Sequence, residues 1–181
     1  MNDIVFITGN QHKADYLAKW LGMPINHQKV DLTEIQSLDL HEVVEHKVRE
    51  AYRIIQKPVL VEDVSLTFHA LGRLPGTLVK WFLEELGNEG LCKLLNGYND
   101  RSATASIMYG LFDGQTVRMF EAEVLGSIPD KPRGDLGFGW NAIFIPEGTH
   151  KTYAEMTDDE LEPFSHRAKA IAKLKGFLQS Q

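Results

Sequence analysis

Six places in this chain carry residue types and spacings that can do chemistry. Glu62-Asp63 directly follows the apolar run Val59-Leu60-Val61. Carboxylates at the end of a buried strand can hold Mg²⁺, which takes one or two carboxylates and completes its shell with water and phosphate oxygens. They can also activate water; otherwise they are solvated turn acids. Glu34, on a polar bend, is a candidate second ligand. Thr8-Gly9-Asn10 interrupts an apolar run, Ile4 to Ile7, just before a helical pattern. A strand, a glycine turn and a helix N-terminus together aim free N–H groups and the helix dipole at one spot, which suits a phosphate. Lys13 falls on the apolar face of that helix, between Leu17 and Trp20, rather than toward solvent. Lys47 lies in the apolar stripe of a second helix. Each lysine either snorkels past its neighbours or points at an anion. Gly137-Phe138-Gly139-Trp140-Asn141 offers flat faces on which a base can stack, or a hydrophobic loop plug. Ser165-His166-Arg167 opens the last helix, where a cation is disfavoured by the dipole unless it has another task.

The elements that must position these residues follow from periodicity and punctuation. Residues 1–7 read as a strand and about 11–21 as a helix. Residues 25–30 form a possible second strand. A polar bend, Asp31 to Ser37, leads into a helix at about 39–56 with Leu40, Val43, Val44, Val48, Ala51 and Ile55 on one face. Lys57-Pro58 ends it, and Val59-Leu60-Val61 is a short buried strand. Lys80 to Leu86 and Glu89 to Leu95 are helical, broken at Gly87. Residues 102–112 and 116–128 form a hairpin turning at Asp113-Gly114. A glycine-rich loop, Gly134 to Gly139, precedes a strand at Ala142 to Ile145. The last helix runs from about Ser165 to Leu178. Strands and helices intermix around a central hairpin, so the expected fold is α/β, a mixed sheet flanked by helices.

Composition narrows the function classes. With 181 residues, 43% of them hydrophobic, the chain makes one domain spanning 1–181, or two small lobes around one cleft. A single cysteine, Cys92, excludes an internal disulfide framework and a cysteine-rich zinc site. It fits a reducing cytoplasm. No apolar run reaches the ~20 residues needed to span a bilayer. The net charge of −6 argues against nucleic acid polymers as partners. A small phosphorylated ligand remains open, given local lysines and a divalent metal.

Taken together, these stretches carry a resemblance. Thr8-Gly9-Asn10 with Lys13, Val61-Glu62-Asp63, Leu71-Gly72-Arg73-Leu74-Pro75-Gly76 with Lys80-Trp81-Phe82-Leu83, Phe138-Gly139-Trp140, Thr152-Tyr153-Ala154-Glu155-Met156 and Ser165-His166-Arg167 occur in the order seen in the inosine triphosphate pyrophosphatase family. The resemblance runs from about residue 4 to residue 178. It implies an elongated, twisted mixed sheet flanked by helices, with two lobes around a central substrate cleft. It also implies a cytoplasmic, homodimeric, Mg²⁺-dependent hydrolase that clears deaminated purine nucleoside triphosphates (ITP, dITP, XTP) from the nucleotide pool. The products are the monophosphate and pyrophosphate. By position, Thr8, Gly9, Asn10, Gln11, His12 and Lys13 would hold the phosphates, together with Lys47. Glu34 and Asp63 would bind Mg²⁺, and Asp63 would be the catalytic base. Val64 follows at a substrate-side position. Phe138, Gly139, Trp140, Asn141, His166 and Arg167 would surround the base. Four departures stand out. Asn141 replaces the family's Asp, Leu161 its Lys, and Val64 its Thr or Ser. Thr77-Leu78 replaces a Pro-Tyr pair. The hydrolytic residues are retained, and the departures at Asn141 and Leu161 fall on or near the base side. They leave room for a shifted base preference, or for a nucleotide-binding module without turnover.

Overall fold

A computed structural model describes residues 4–180 of the chain. The expected start of the first strand at residues 1–3 lies outside the described residues. Among the described residues, seven strands form one mixed sheet: β1 (Val5–Ile7), β2 (Asn26–Gln28), β3 (Val59–Phe68), β4 (Pro75–Gly76), β5 (Ser102–Phe112), β6 (Val117–Ser127) and β7 (Ile145–Pro146). Their order is β2-β1-β3-β5-β6-β7, with β4 on β3. The helices are α1 (Gln11–Leu21), α2 (Leu40–Ile55), α3 (Val79–Lys93), α4 (Asp158–Leu161) and α5 (His166–Gln179). The mixed α/β architecture read from the sequence is the one observed. No described helix is long and apolar enough to cross a membrane.

The chain divides into two compact units. The first comprises residues up to Asp63, Ile107–Ala122 and Arg167 onward. Here β1 pairs in parallel with both β2 and β3. The chain leaves β1 through α1 toward β2, then crosses back through α2 to β3. Ligands of open α/β sheets bind at the carboxyl ends of strands where connections diverge in this way. Asn10 starts α1: its side chain accepts from the Lys13 backbone N–H at 3.3 Å, and Gly22 ends the helix at φ 74°. Asp39 caps α2 by accepting from the His41 and Glu42 N–H groups. The apolar stripe read from the sequence is the buried one, with Val44, Val48 and Ala51 packed against Val59, Val61, Met108 and Phe112. Full burial of each such aliphatic side chain stabilises by roughly 1.5–3 kcal/mol.

The second unit comprises Val64–Ser106 and Glu123–His166. Its core joins Leu66, Phe68, Leu91, Leu95, Ala105, Ile128, Phe144 and Tyr153. Arg101 ties its loops together by donating to the carbonyls of Ile128, Pro129 and Cys92 at 2.8, 2.6 and 3.1 Å. The break expected at Gly87 is present, at φ 63° and ψ 177° within α3.

Two expectations need correction. The strand at Val59-Leu60-Val61 continues to Phe68, so Glu62 and Asp63 lie inside β3 rather than at its end. Neighbouring strands at both ends of β3, β1 at Val59 and Leu60 and β4 at Leu66 and Thr67, together with β5 alongside, carry the strand past a pair of acids that looked like a stop. The strand expected at Ala142–Ile145 is a 3-10 turn over Asn141–Ile143 followed by the two-residue β7. Its apolar residues are buried as core plugs, which a short apolar run does not distinguish from a strand.

Gly110, in β5, packs closely against α2. A Cβ there would stand 2.7 Å from Val44 Cγ1, 3.3 Å from Met119 Sδ and 3.4 Å from Val61 Cγ2. Gly110→Val is expected to destabilise the protein by about 1–3 kcal/mol through overpacking. Urea unfolding monitored by circular dichroism reads this as a lower midpoint; an unchanged midpoint contradicts the close packing.

Candidate active site

The first unit concentrates its charged side chains on two consecutive residues of β3. Successive strand residues point to opposite faces, so Glu62 and Asp63 serve different helices. Continuing the β1–β3 register two residues beyond Phe6↔Leu60 brings Thr8 level with Glu62. The Thr8-Gly9-Asn10 turn is built as expected: the Asn10 N–H donates to Thr8 Oγ1 at 3.1 Å. Gly9 lies close to Lys29: a Cβ there would stand 3.1 Å from Cγ and Cδ of that side chain, which would have to give way by a few tenths of an ångström. Lys29 was not singled out from the sequence. Gln11 and His12 are exposed, and Gln11 donates to Asp15 at 2.8 Å.

Lys13 does turn inward. Its Nζ lies 2.8 Å from Glu62 Oε1. The same oxygen accepts from Arg167 Nη2 at 3.2 Å. The Glu62 side chain is 3% exposed, Arg167 11% and Lys13 26%. The guanidinium carbon of Arg167 also stands 6.0 Å from the centre of the Tyr16 ring. Burial alone would raise the Glu62 pKa, but the Arg167 and then the Lys13 charges overcome it and hold the carboxyl at about 2. Burial likewise opposes the Arg167 charge, and Glu62 more than restores it. Tyr109, on β5, is pushed well above its ordinary value by burial and by the adjacent Glu62 carboxylate. It stays a neutral phenol.

On the other helix, Lys47 Nζ donates to Asp63 Oδ2 at 2.9 Å and approaches the Glu62 carbonyl at 3.5 Å. Burial works to lower the Lys47 pKa; Asp63, then Glu34 and Glu62, outweigh it and raise it. Two carboxylates, Asp63 and Glu34, thus bear on one cationic position. No cluster of three His, Cys, Asp or Glu side chains suited to a metal occurs among the described residues. A two-carboxylate set fits Mg²⁺, which keeps several waters and takes phosphate oxygens for the rest. Val64 is half-buried in β3.

The second unit holds the remaining candidates. Trp140 is a core residue, 8% exposed, with its ring centre 5.8 Å from Phe144, 6.2 Å from Tyr153 and 5.5 Å from His166. His166 stacks nearly parallel to Tyr153, at 5° and 5.8 Å. The Tyr153 hydroxyl donates to the Phe164 carbonyl at 2.8 Å. Phe138 is 48% exposed, so of the two aromatics in the glycine-rich loop it is the one with a face to offer. Gly137 and Gly139 adopt φ 77° and 64°, and the Gly139 carbonyl accepts from Asn88 Nδ2 at 3.0 Å. The Asn141 amide lies over Gly137, where a Cβ would collide with it. Leu161 packs against this unit's core, which accounts for an apolar side chain at that position.

Sequence reasoning read Glu62 together with Asp63 as a carboxylate for Mg²⁺ or for activating water, and did not foresee its ion pairs with Lys13 and Arg167. The available signal was its place within an apolar strand, where a carboxylate requires buried cations. Its depressed pKa has a consequence for stability. The unfolded carboxyl titrates near 4.5 and the folded one at about 2. The contribution is therefore present above pH 4.5 and is lost as pH falls from 4.5 to 2, with a size on the order of 3 kcal/mol. Denaturant unfolding at pH 6 to 2.5 is expected to show a steeper acid loss for the wild type than for Glu62→Gln. Parallel curves contradict the pairing.

Comparison with known proteins shows the family to which the chain belongs. Residues 4–177 match the model of the Ham1 family. The chain is 43% identical over 180 residues to an inosine triphosphate pyrophosphatase of Yarrowia lipolytica, covering 97% of this chain and 95% of that one. It is 41% identical to an inosine triphosphate pyrophosphatase of Schizosaccharomyces pombe, covering 100% and 97%. The solved HAM1 protein from Coxiella burnetii superposes with a TM-score of 0.89 at 25% identity, over the full length of both chains. With nearly the whole chain matched in sequence and in fold, this protein belongs to the Ham1 family.

Proposed function

We propose that this protein hydrolyses deaminated purine nucleoside triphosphates (ITP, dITP and XTP) to the monophosphate and pyrophosphate, with Mg²⁺, as a homodimer in the cytoplasm. The activity is the one named for its relatives from Yarrowia lipolytica and Schizosaccharomyces pombe. The observation that carries it is the Lys47–Asp63 pair at 2.9 Å, with the Glu34 charge bearing on the same ammonium. This supports a reading in which Asp63 is the base for water, Lys47 a cation for phosphate and Glu34 a second carboxylate. The buried single cysteine suits a reducing compartment, and the homodimer rests on the family resemblance.

Attack at the α-phosphorus needs an activated water, neutralisation of the triphosphate and a stabilised leaving group. In this reading Asp63 orients water and takes its proton. Glu34 and Asp63 would hold Mg²⁺, which when bound would supply charge neutralisation for the phosphates and a more acidic water. Lys47 supplies a fixed positive charge beside Asp63. The Asn10-capped start of α1 and Lys13 receive phosphate oxygens. Arg167, which donates but never accepts, pairs with the 6-keto oxygen of hypoxanthine or xanthine. Adenine carries an amino group there and would set donor against donor. A site of this kind can discriminate by ~10⁴. Phe138 provides the exposed face for stacking. Asn141 and Leu161 favour a second reading, the same hydrolysis with a shifted base preference. Each replaces a charged residue of the family with an uncharged one.

Pyrophosphate release from ITP, XTP, GTP, ATP and dUTP, with and without Mg²⁺, tests these readings together. Fast release from ITP and XTP only with Mg²⁺, and at least a hundredfold slower release from ATP, is expected. No release from any substrate at micromolar enzyme sinks the hydrolase reading. Equal rates for ITP and ATP sink the selectivity argument. Asp63→Asn is expected to lower kcat by about 10²–10⁴ while nucleotide binding by calorimetry persists. Retained turnover removes Asp63 as the base.

A further inference from the structure

We infer that Glu62 is a positioning residue for base selection: its buried carboxylate fixes the Arg167 guanidinium, and the discrimination of 6-keto from 6-amino purines depends on that fixation. The inference rests on the proposed role of Arg167 and adds the residue through which that role is exercised.

An arginine side chain carries about 2 kcal/mol of rotamer entropy. Discrimination by donor against donor works only when the donor cannot swing away from the wrong base. Arg167 is held by two contacts. Its Nη2 donates to Glu62 Oε1 at 3.2 Å. Its guanidinium stands 6.0 Å from the centre of the Tyr16 ring. Its own backbone lies in the first turn of α5, where the helix dipole gives a cation no support. Glu62 is thus the group that compensates its charge. Glu62 in turn is immobile: it is 3% exposed, sits inside β3, and shares Oε1 with Lys13 at 2.8 Å. Two cations on one buried carboxylate oxygen leave it little freedom to follow a moving partner. Tyr109, kept neutral beside it, adds no competing charge. The resulting group places a fixed donor at the start of α5; Lys47, which reaches the Glu62 backbone carbonyl at 3.5 Å, pairs its charge with Asp63 rather than with the Glu62 side chain.

The test compares kcat/KM for ITP and ATP in the wild type, Glu62→Gln, Arg167→Lys and the double variant, by pyrophosphate release. Glu62→Gln keeps the side chain's shape and removes its charge. The ITP-to-ATP preference is expected to fall at least tenfold in each single variant, and the double variant is expected to fall no further than Arg167→Lys alone. If Glu62 merely supports the fold, both substrates lose activity alike and the preference is unchanged, which overturns the inference. A double variant whose losses multiply also overturns it, because Glu62 then acts other than through Arg167. A wild type with no preference for ITP is a failure of the proposed function, visible before any variant is made. Should Glu62→Gln show no cooperative unfolding transition, Glu62→Asp takes its place: it retains the charge but retracts it by one methylene. A preference reduced several-fold supports the inference, and an unchanged one overturns it.

Discussion

A carboxylate inside an apolar β-strand must be neutralised where it stands. Glu62 meets this constraint by taking Lys13 from α1 and Arg167 from α5 onto a single oxygen. Unpaired, it would protonate or expel the strand from the core, because an isolated buried charge costs far more than a domain's margin of stability. Paired, it fixes the first turns of two helices against β3. Removing one partner of such a cluster is more damaging than replacing the whole, since the remaining charges stay buried. The group is therefore a means of registration between elements rather than a source of net stability.

Alternation along the strand gives the neighbouring acid a different set of partners. Asp63 turns to α2 and meets Lys47, whose charge is sustained by Asp63 and Glu34 together. Two consecutive residues thus gather side chains from three helices. The parallel order β2-β1-β3 makes this possible, because α1 and α2 leave the strand ends by diverging connections. The Thr8-Gly9-Asn10 turn, one strand away, adds the N–H groups of a capped helix start. The side-chain ion pairs fall into two sets: Lys47 on Asp63, and Lys13 with Arg167 on Glu62.

Much of this was legible in the residues, and the exceptions have physical causes. The N-cap of α1, the stripe of α2, the Gly87 break and the Asp113-Gly114 hairpin all depend on local propensity and short-range hydrogen bonds, which a sequence displays directly. Asp113 indeed accepts from the Gln115 and Thr116 N–H groups at 2.8 Å. The inward aim of Lys13 and Lys47 followed from helical period alone. What they aim at did not: Glu62 and Asp63 are 49 and 16 residues away in sequence, and only pairing of strands brings them near. The full length of β3 was hidden for the same reason, because acids read as a stop until ladder partners are known. Trp140 looked like a face for a base, and the resemblance put His166 beside the base. Their burial in a ring cluster with Tyr153 and Phe144 depends on tertiary packing that spacing does not encode.

The central claim is that one buried carboxylate holds both cations. Carbon-13 NMR of the protein labelled at glutamate side-chain carboxyls tests it most directly, with the Glu62 resonance assigned by its loss in Glu62→Gln. Titrated over the acid range in which the fold persists, one glutamate is predicted to remain ionised toward pH 2 and to titrate at clearly higher pH when Lys13 and Arg167 are both replaced by Met, which leaves burial unopposed. A Glu62 resonance that titrates near 4.5 in the unaltered protein would contradict the account.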